Sequence, residues 1–339
     1  MDDNGSERLG LQQKIRLLTG ADLWSLPAEP AVGLRSLVVS DGPAGVRGRT
    51  WDERSTSANL PCPSAIAASW DPERAHRLGR LLAAECRRSG VDVLLAPTVN
   101  LQRSPYAGRH FEYFSEDPGL TATIGSAYVQ GLQSQGIGAT VKHFVANDSE
   151  TQRFTVDARI DERVLRELYL YPFEVIVREG GAWAVMAAYN GVNGTTMTES
   201  PMLREILQQE WGFDGVTMTD WFAGRSTVAS ALAGLDLIMP GPGRPLGGAA
   251  HRGDPGRPGS GRSDRRQGPP RSSTGRPGRR PDRHSRRHPD RHPRHPHDRH
   301  PRQRPDRHPR RHPDRRHPEA RRFGEARRSN EAQPYPEVR

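Results

Sequence analysis

The chain has 339 residues, two cysteines and a formal net charge of +10. Two cysteines exclude a disulfide-built scaffold, and the length allows two domains or one large barrel. The basic balance says nothing about the partners of the first part: residues 244–339 hold 28 arginines against 11 acidic residues, so residues 1–243 are net acidic.

The first residues, Met1-Asp2-Asp3-Asn4-Gly5, are acidic and lack the apolar stretch of a signal peptide. No apolar run is long enough to span a bilayer, so a cytoplasmic protein is expected. Residues 9–18 place Leu9, Leu11, Ile15, Leu17 and Leu18 close to a helical stripe that Gly20 ends. Residues 37–39 form a short apolar strand, followed by Ser40, Asp41 and a Gly/Pro turn that runs to Arg47. A second strand is expected at 65–69. Residues 71–88 read as a helix with Asp71 as N-cap, Pro72 in the first turn and Gly90 beyond its end.

A strand at 91–96 leads to Pro97 and Asn100, and a helix at 120–133 closes at Gly136. The strand at 139–145 contains Lys142 and His143, and a long helix covers 161–178. The strand at 183–189 ends at Asn190-Gly191, and the helix at 200–211 starts with Ser200 as N-cap and Pro201. Residues 216–219 are a strand that runs straight into Asp220 and Trp221. A helix at 225–233 and a strand at 235–239 complete the pattern. Strands alternating with helices imply a parallel sheet, and about seven such units suit a TIM-type (β/α) barrel, left incomplete at its end, better than an open doubly wound sheet. No Gly-x-Gly-x-x-Gly follows a strand and no phosphate-binding Walker loop is present, so a nucleotide site is not indicated.

Polar residues collect at the strand ends: Asp41, Arg47, Lys142, His143, Tyr189 and Asp220. A barrel gathers such ends at one face. Two carboxylates with lysine, arginine (Arg109 included) and histidine donors suit a polyhydroxylated ligand, because each hydroxyl can take a charge-assisted hydrogen bond. Each residue has a plainer reading. Asp220 can be the N-cap of the next helix, Lys142 a paired interior lysine, Arg109 with Glu112 a structural ion pair, and His143 a satisfied core histidine.

The motifs carry a resemblance. Lys14-Ile15-Arg16-Leu17-Leu18-Thr19-Gly20, Ser40-Asp41-Gly42-Pro43, the Gly108 to Pro118 stretch GRHFEYFSEDP, and Lys142-His143-Phe144 stand in order. Asp161-Glu162-Arg163, Leu165-Arg166-Glu167, Met186-Ala187-Ala188-Tyr189-Asn190, Trp211-Gly212-Phe213-Asp214-Gly215 and Thr219-Asp220-Trp221 follow. Over residues 9–243 the chain resembles the N-terminal barrel domain of glycoside hydrolase family three, the β-glucosidase and β-xylosidase group. The resemblance implies a retaining β-glycosidase acting on a β-linked glucoside or related oligosaccharide, without cofactor or metal. It implies that Asp220 is the nucleophile and that Asp41, Arg109, Lys142 and His143 hold the hydroxyls of the sugar to be transferred. Arg47, Met186, Tyr189 and Trp221 would line the same subsite. Thr219 stands where serine is commoner in the family. The Lys142-His143-Phe144 segment continues as Val145-Ala146-Asn147-Asp148-Ser149-Glu150, without the Pro-Gly-His-Gly loop of the family's single-domain hexosaminidases. The glucosidase branch is therefore indicated, in which the acid/base glutamate lies in a second α/β domain after the barrel.

From residue 244 the composition becomes Arg/Pro/His/Asp/Gly-rich, with recurring Asp-Arg-His-Pro units and ten of the 13 histidines. Such a segment cannot bury enough apolar surface to offset its ordering entropy, so disorder is expected for 244–339. Three readings stand: a frameshifted product of a GC-rich gene, which the abrupt change favours; a basic tail that binds nucleic acid or another polyanion non-specifically; and metal binding by clustered histidines. On any of them no acid/base glutamate is identifiable in this chain. A catalytically impaired carbohydrate- or polyanion-binding protein is the alternative to a working glycosidase.

Overall fold

The central sheet runs in the order β1 (Ser25–Leu26), β2 (Leu37–Asp41), β3 (Val93–Leu95), β4 (Gly138–Phe144), β5 (Ala184–Ala187) and β6 (Val216–Thr219). This is a computed structural model, and it describes residues 5–50, 52 and 54–242. The stretch 244–339 and the expectations attached to it lie outside the described residues. All neighbouring strands pair in parallel except β1 with β2. Beyond β6 the backbone hydrogen bonds continue: Thr219 N–H donates to Leu237 O at 3.0 Å, and Gly20 N–H donates to Ile238 O at 3.0 Å. Ala21 N–H then donates to Ser25 O, at the start of β1. The sheet thus curls round on itself as a TIM-type barrel.

The expected strand at 235–239 is realised only as isolated bridges to Met218 and Thr19. Pro240 follows at once and cannot donate to a ladder.

Alternation along the strands makes two cores. Val39, Leu95, Met186 and Met218 face inward and meet Leu237 and Met239 inside the barrel. Leu94, Val141, Phe144 and Val185 face outward and pack under the helices, where Phe144 stands edge-on to Phe173 and Trp211. The same parity directs Asp41, two residues after Val39, and Asp220, two after Met218, to the inside at the strand ends.

The helices Pro72–Arg88 and Pro118–Gln133 begin as the local chemistry dictates. Asp71 and Asp117 accept the N–H groups of Arg74 and Leu120, and a proline follows each cap. The two helices touch backbone to backbone through glycine. A Cβ on Gly131 would stand 2.1 Å from His76 O, and one on Gly79 would stand 2.4 Å from Tyr128 O. Gly131→Ala is expected to cost about 1–3 kcal/mol by forcing the helices apart. The check is a lower urea midpoint at unchanged slope; an unmoved midpoint would show that the pair separates freely.

Four local expectations are corrected. Residues 65–69 are not a strand: Pro63–Ala67 is a short helix, because Pro63 presets its first turn and Ile66 and Ala67 then face the core. The helix at 161–178 contains a wide π segment, Leu165–Leu170, before Tyr171–Arg178, where Pro172 removes an i to i−4 donor. The helix expected from 225 starts at Val228. The Leu11–Leu17 helix buries none of its own residues. Its Gln13 and Arg16 instead hold the buried Glu29 carboxylate, an ionic attachment that an apolar stripe does not announce. Of the cysteines, Cys86 is buried, with its thiol pushed up to about 12 by burial, and Cys62 is exposed.

Candidate active site

Asp220 follows the last residue of β6 and is 8% exposed. Its N–H donates to Ala187 O at 3.2 Å, and its Oδ1 accepts the Trp221 N–H at 2.7 Å. The next helix begins at Val228, so the carboxylate caps no helix. At the end of β2, Asp41 Oδ1 accepts from Lys142 Nζ at 2.8 Å, and Arg47 Nε lies 3.8 Å from its Oδ2. Lys142 is therefore paired, as its plainer reading held, and the pair stands at the barrel mouth.

Neighbours in a regular strand point to opposite faces, so Lys142 and His143 should not share the interior. A bulge resolves this. Lys142 pairs with Met186 and Phe144 with Ala187, leaving His143 as the extra residue between them. Both polar side chains thereby reach the mouth, and Phe144 keeps its place in the outer core.

The loop after β3 supplies the rest. Arg109 is held by the buried Glu112, whose other oxygen accepts the Thr98 hydroxyl at 2.9 Å. Arg109 Nη2 lies 3.1 Å from His143 Nε2, and that nitrogen is 3.5 Å from Asp220 Oδ2. Asn100 borders the histidine on its other side. Its Oδ1 accepts the His143 backbone N–H at 2.9 Å and lies 3.3 Å from Nδ1, and its Nδ2 donates to the His143 carbonyl at 3.0 Å.

Charge follows from burial and partners. Burial and the cations Arg109, Lys142 and Arg153 hold the His143 imidazole well below its ordinary pKa, so it is neutral. Burial raises Asp220, and Lys142 and Arg109 offset only part of the rise. At Asp41 burial also acts upward, but Lys142 and Arg47 outweigh it and leave the carboxyl below its usual value. At Arg109 burial acts downward, and Glu112 reverses it, so the guanidinium stays charged.

Tyr189 donates its hydroxyl to Trp221 O at 2.9 Å and also reaches the Asp220 carboxylate. Trp221 leans on Trp24, with ring centroids 5.1 Å apart, and its indole N–H donates to Leu23 O. Met186 is 1% exposed and belongs to the apolar floor beneath these groups. The sequence reading missed Asn100 as a partner of His143, and it missed Glu150, Arg153 and Trp24. Arg153 lies 4.8 Å over the Tyr189 ring and donates to Glu150 at 2.9 Å, while Glu150 also faces Arg109 at 3.6 Å. Nothing periodic marks these residues, since loops carry them. No group of three His, Cys, Asp or Glu that could hold a metal ion occurs among the described residues, and no helix there is long and apolar enough to cross a membrane.

One further carboxyl lies on the loop after His143. Asp148 Oδ1 accepts the Leu101 N–H at 3.3 Å, and burial raises the group to about 7. A folded value above the unfolded one means that the folded state binds the extra proton, so this group's contribution to stability falls as pH rises from about 4 to 7. Asp148→Asn is expected to flatten that slope and to stabilise the protein at pH 8. Urea midpoints across pH test it; a variant with the wild-type slope would contradict the assignment.

At the barrel mouth an inward-facing carboxylate, Asp220, thus stands among an arginine, a lysine and a neutral histidine. The Glycosyl hydrolase family 3 N terminal domain matches residues 25–240, and the chain belongs to that family. It is 48% identical to a beta-glucosidase of Rhizobium radiobacter over 249 residues, 73% of this chain and 30% of that protein. It is 48% identical to beta-glucosidase B of Emericella nidulans over 238 residues, 70% of this chain and 28% of that protein. Among solved structures, beta-glucosidase 3B from Thermotoga neapolitana in complex with alpha-D-glucose superposes with a TM-score of 0.67 at 41% identity, over 70% of this chain and 36% of that one. Beta-glucosidase from Kluyveromyces marxianus in complex with glucose gives a TM-score of 0.70 at 41% identity, over 71% and 29%. The chain thus spans about a third or less of the length of these relatives.

Proposed function

We propose that the barrel mouth is the glycosyl-binding half of a retaining β-glucosidase site. Asp220 acts as nucleophile, and Asp41, Arg109, Lys142 and His143 hold the sugar hydroxyls. Arg47, Met186, Tyr189 and Trp221 line the same subsite. The observation that carries the reading is the Asp220 carboxylate itself: buried, turned inward, and oriented by the Trp221 N–H so that Oδ2 faces His143. The two relatives whose structures are described with glucose support glucose as the sugar.

The chemistry follows from the geometry. Attack by Asp220 on the anomeric carbon forms a glycosyl-enzyme through an oxocarbenium-like transition state. Arg109 and Lys142 favour the ionised carboxylate that must attack. Asp41, paired with Lys142 and Arg47, accepts hydrogen bonds from sugar hydroxyls rather than attacking. The leaving oxygen needs a proton from a second carboxylic acid about 5–5.5 Å from the nucleophile, which the family resemblance places in a domain beyond the barrel. General acid catalysis contributes about 10²–10⁴-fold. Turnover of activated aryl β-glucosides should therefore depend on that acid far less than turnover of cellobiose does. The test is covalent labelling by 2-deoxy-2-fluoro-β-glucosyl fluoride, whose leaving group needs little protonation, with the label mapped by peptide mass. A label on Asp220 supports the reading, and a label elsewhere, or none, overturns it.

A further inference from the structure

Which ring nitrogen of His143 carries the proton is decided by its neighbours. Arg109 Nη2, 3.1 Å from Nε2, has only protons to offer, so Nε2 must present a lone pair. Asn100 is oriented without ambiguity, because its Oδ1 accepts a backbone N–H at 2.9 Å and its Nδ2 donates to a backbone carbonyl at 3.0 Å. That places an acceptor oxygen 3.3 Å from Nδ1. Asn100 is 3% exposed and His143 1%, so water does not compete for these positions.

We infer that Asn100 is a positioning residue: it holds His143 as the neutral Nδ1–H tautomer, so that no proton is directed at Asp220 Oδ2. The consequence is chemical. A proton on Nε2 would oppose the Arg109 guanidinium and point at the carboxylate oxygen 3.5 Å away. A charged hydrogen bond there would engage the oxygen that must attack. The charged groups facing the imidazole are Arg109, Lys142 and Arg153 on the cationic side and Asp220 on the anionic side. The cations oppose an imidazolium, and Asn100 directs the single remaining proton away from Asp220. The tautomer stands on its own; its effect on labelling rests on the proposed nucleophile.

The test uses the full chain with ¹⁵N-labelled histidine, and His143 is assigned by its loss in His143→Gln. At pH 7 the wild type should show a protonated Nδ1 and a pyridine-type Nε2. A protonated Nε2 or an imidazolium would overturn the inference, whether or not Asp220 is a nucleophile. Asn100→Asp keeps the acceptor but sets a carboxylate at Nδ1, which favours the imidazolium. The His143 titration midpoint should move upward. Labelling by the fluoroglucoside should slow by about 10- to 100-fold at pH 7, on the scale of a misplaced reacting group, and recover as pH rises past the new midpoint. A purely structural asparagine would slow labelling equally at every pH, and that result would also overturn the inference. Asn100→Ala, which removes the acceptor without adding charge, is the second variant. Its His143 Nδ1 proton should lose its protection from exchange, and retained protection would count against Asn100 as the holder. A wild type with the assigned tautomer but no label on Asp220 would leave the histidine assignment intact and remove the nucleophile.

Discussion

Asp220→Asn is expected to abolish labelling by the fluoroglucoside and to lower turnover of an activated aryl β-glucoside by about 10³-fold or more, because the amide oxygen is a poor nucleophile and no covalent intermediate forms. Stability should move the other way. Burial raises the Asp220 carboxyl even against Lys142 and Arg109, so the folded protein holds the charged form less well than water does. Removing the charge at pH 7 should leave the urea midpoint unchanged or higher, the pattern of a site kept for function at the expense of stability. A variant that still takes the label would remove Asp220 from the reaction. One that loses the label and also unfolds more easily would make the carboxylate a structural group.

Arg109→Met carries the largest expected loss of stability. Its guanidinium side chain is 16% exposed and its partner Glu112 only 5%. Taking away one member of such a pair leaves a buried, uncompensated charge, which costs about 3–5 kcal/mol, a large part of an ordinary domain's margin. Glu112 keeps the Thr98 hydroxyl, but one neutral donor does not replace a guanidinium. The diagnostic is the double variant Arg109→Met with Glu112→Gln. It should recover a substantial part of the loss in a double-mutant cycle, because the stranded carboxylate is gone. Additive losses would show that Arg109 stabilises by packing alone.

The two expectations bear on different sides of one constellation. The first expects the Asp220 carboxylate to weigh against the fold, and the second expects the Arg109–Glu112 pair to serve both stability and position. Asn100 joins them through His143, because Arg109 Nη2 and Asp220 Oδ2 both face the same ring nitrogen, Nε2, from 3.1 and 3.5 Å. A change at any of the three should therefore be visible in the His143 spectrum.

By itself the sequence determined what is local. Asp71-Pro72 marks a helix start, and the apolar runs before Asp41 and Asp220 mark strands, because caps and alternation act over a few residues. The order of the motifs likewise determined the family and, with it, the barrel. Tertiary structure alone decided how these pieces meet. The bulge at His143 exists because β4 is registered against β5 on both sides of it, a constraint between residues 142–144 and 186–187 that no local pattern carries. Glu29 is buried because the first helix lies across it. Arg153 and Glu150 reach the mouth along a loop, where periodicity is absent. Ring closure through Leu18, Gly20 and Ile238 joins residues from the two ends of the described fold. Propensity and capping act between neighbours in sequence, whereas register, bulges and buried ion pairs are settled by which distant groups must share one interior.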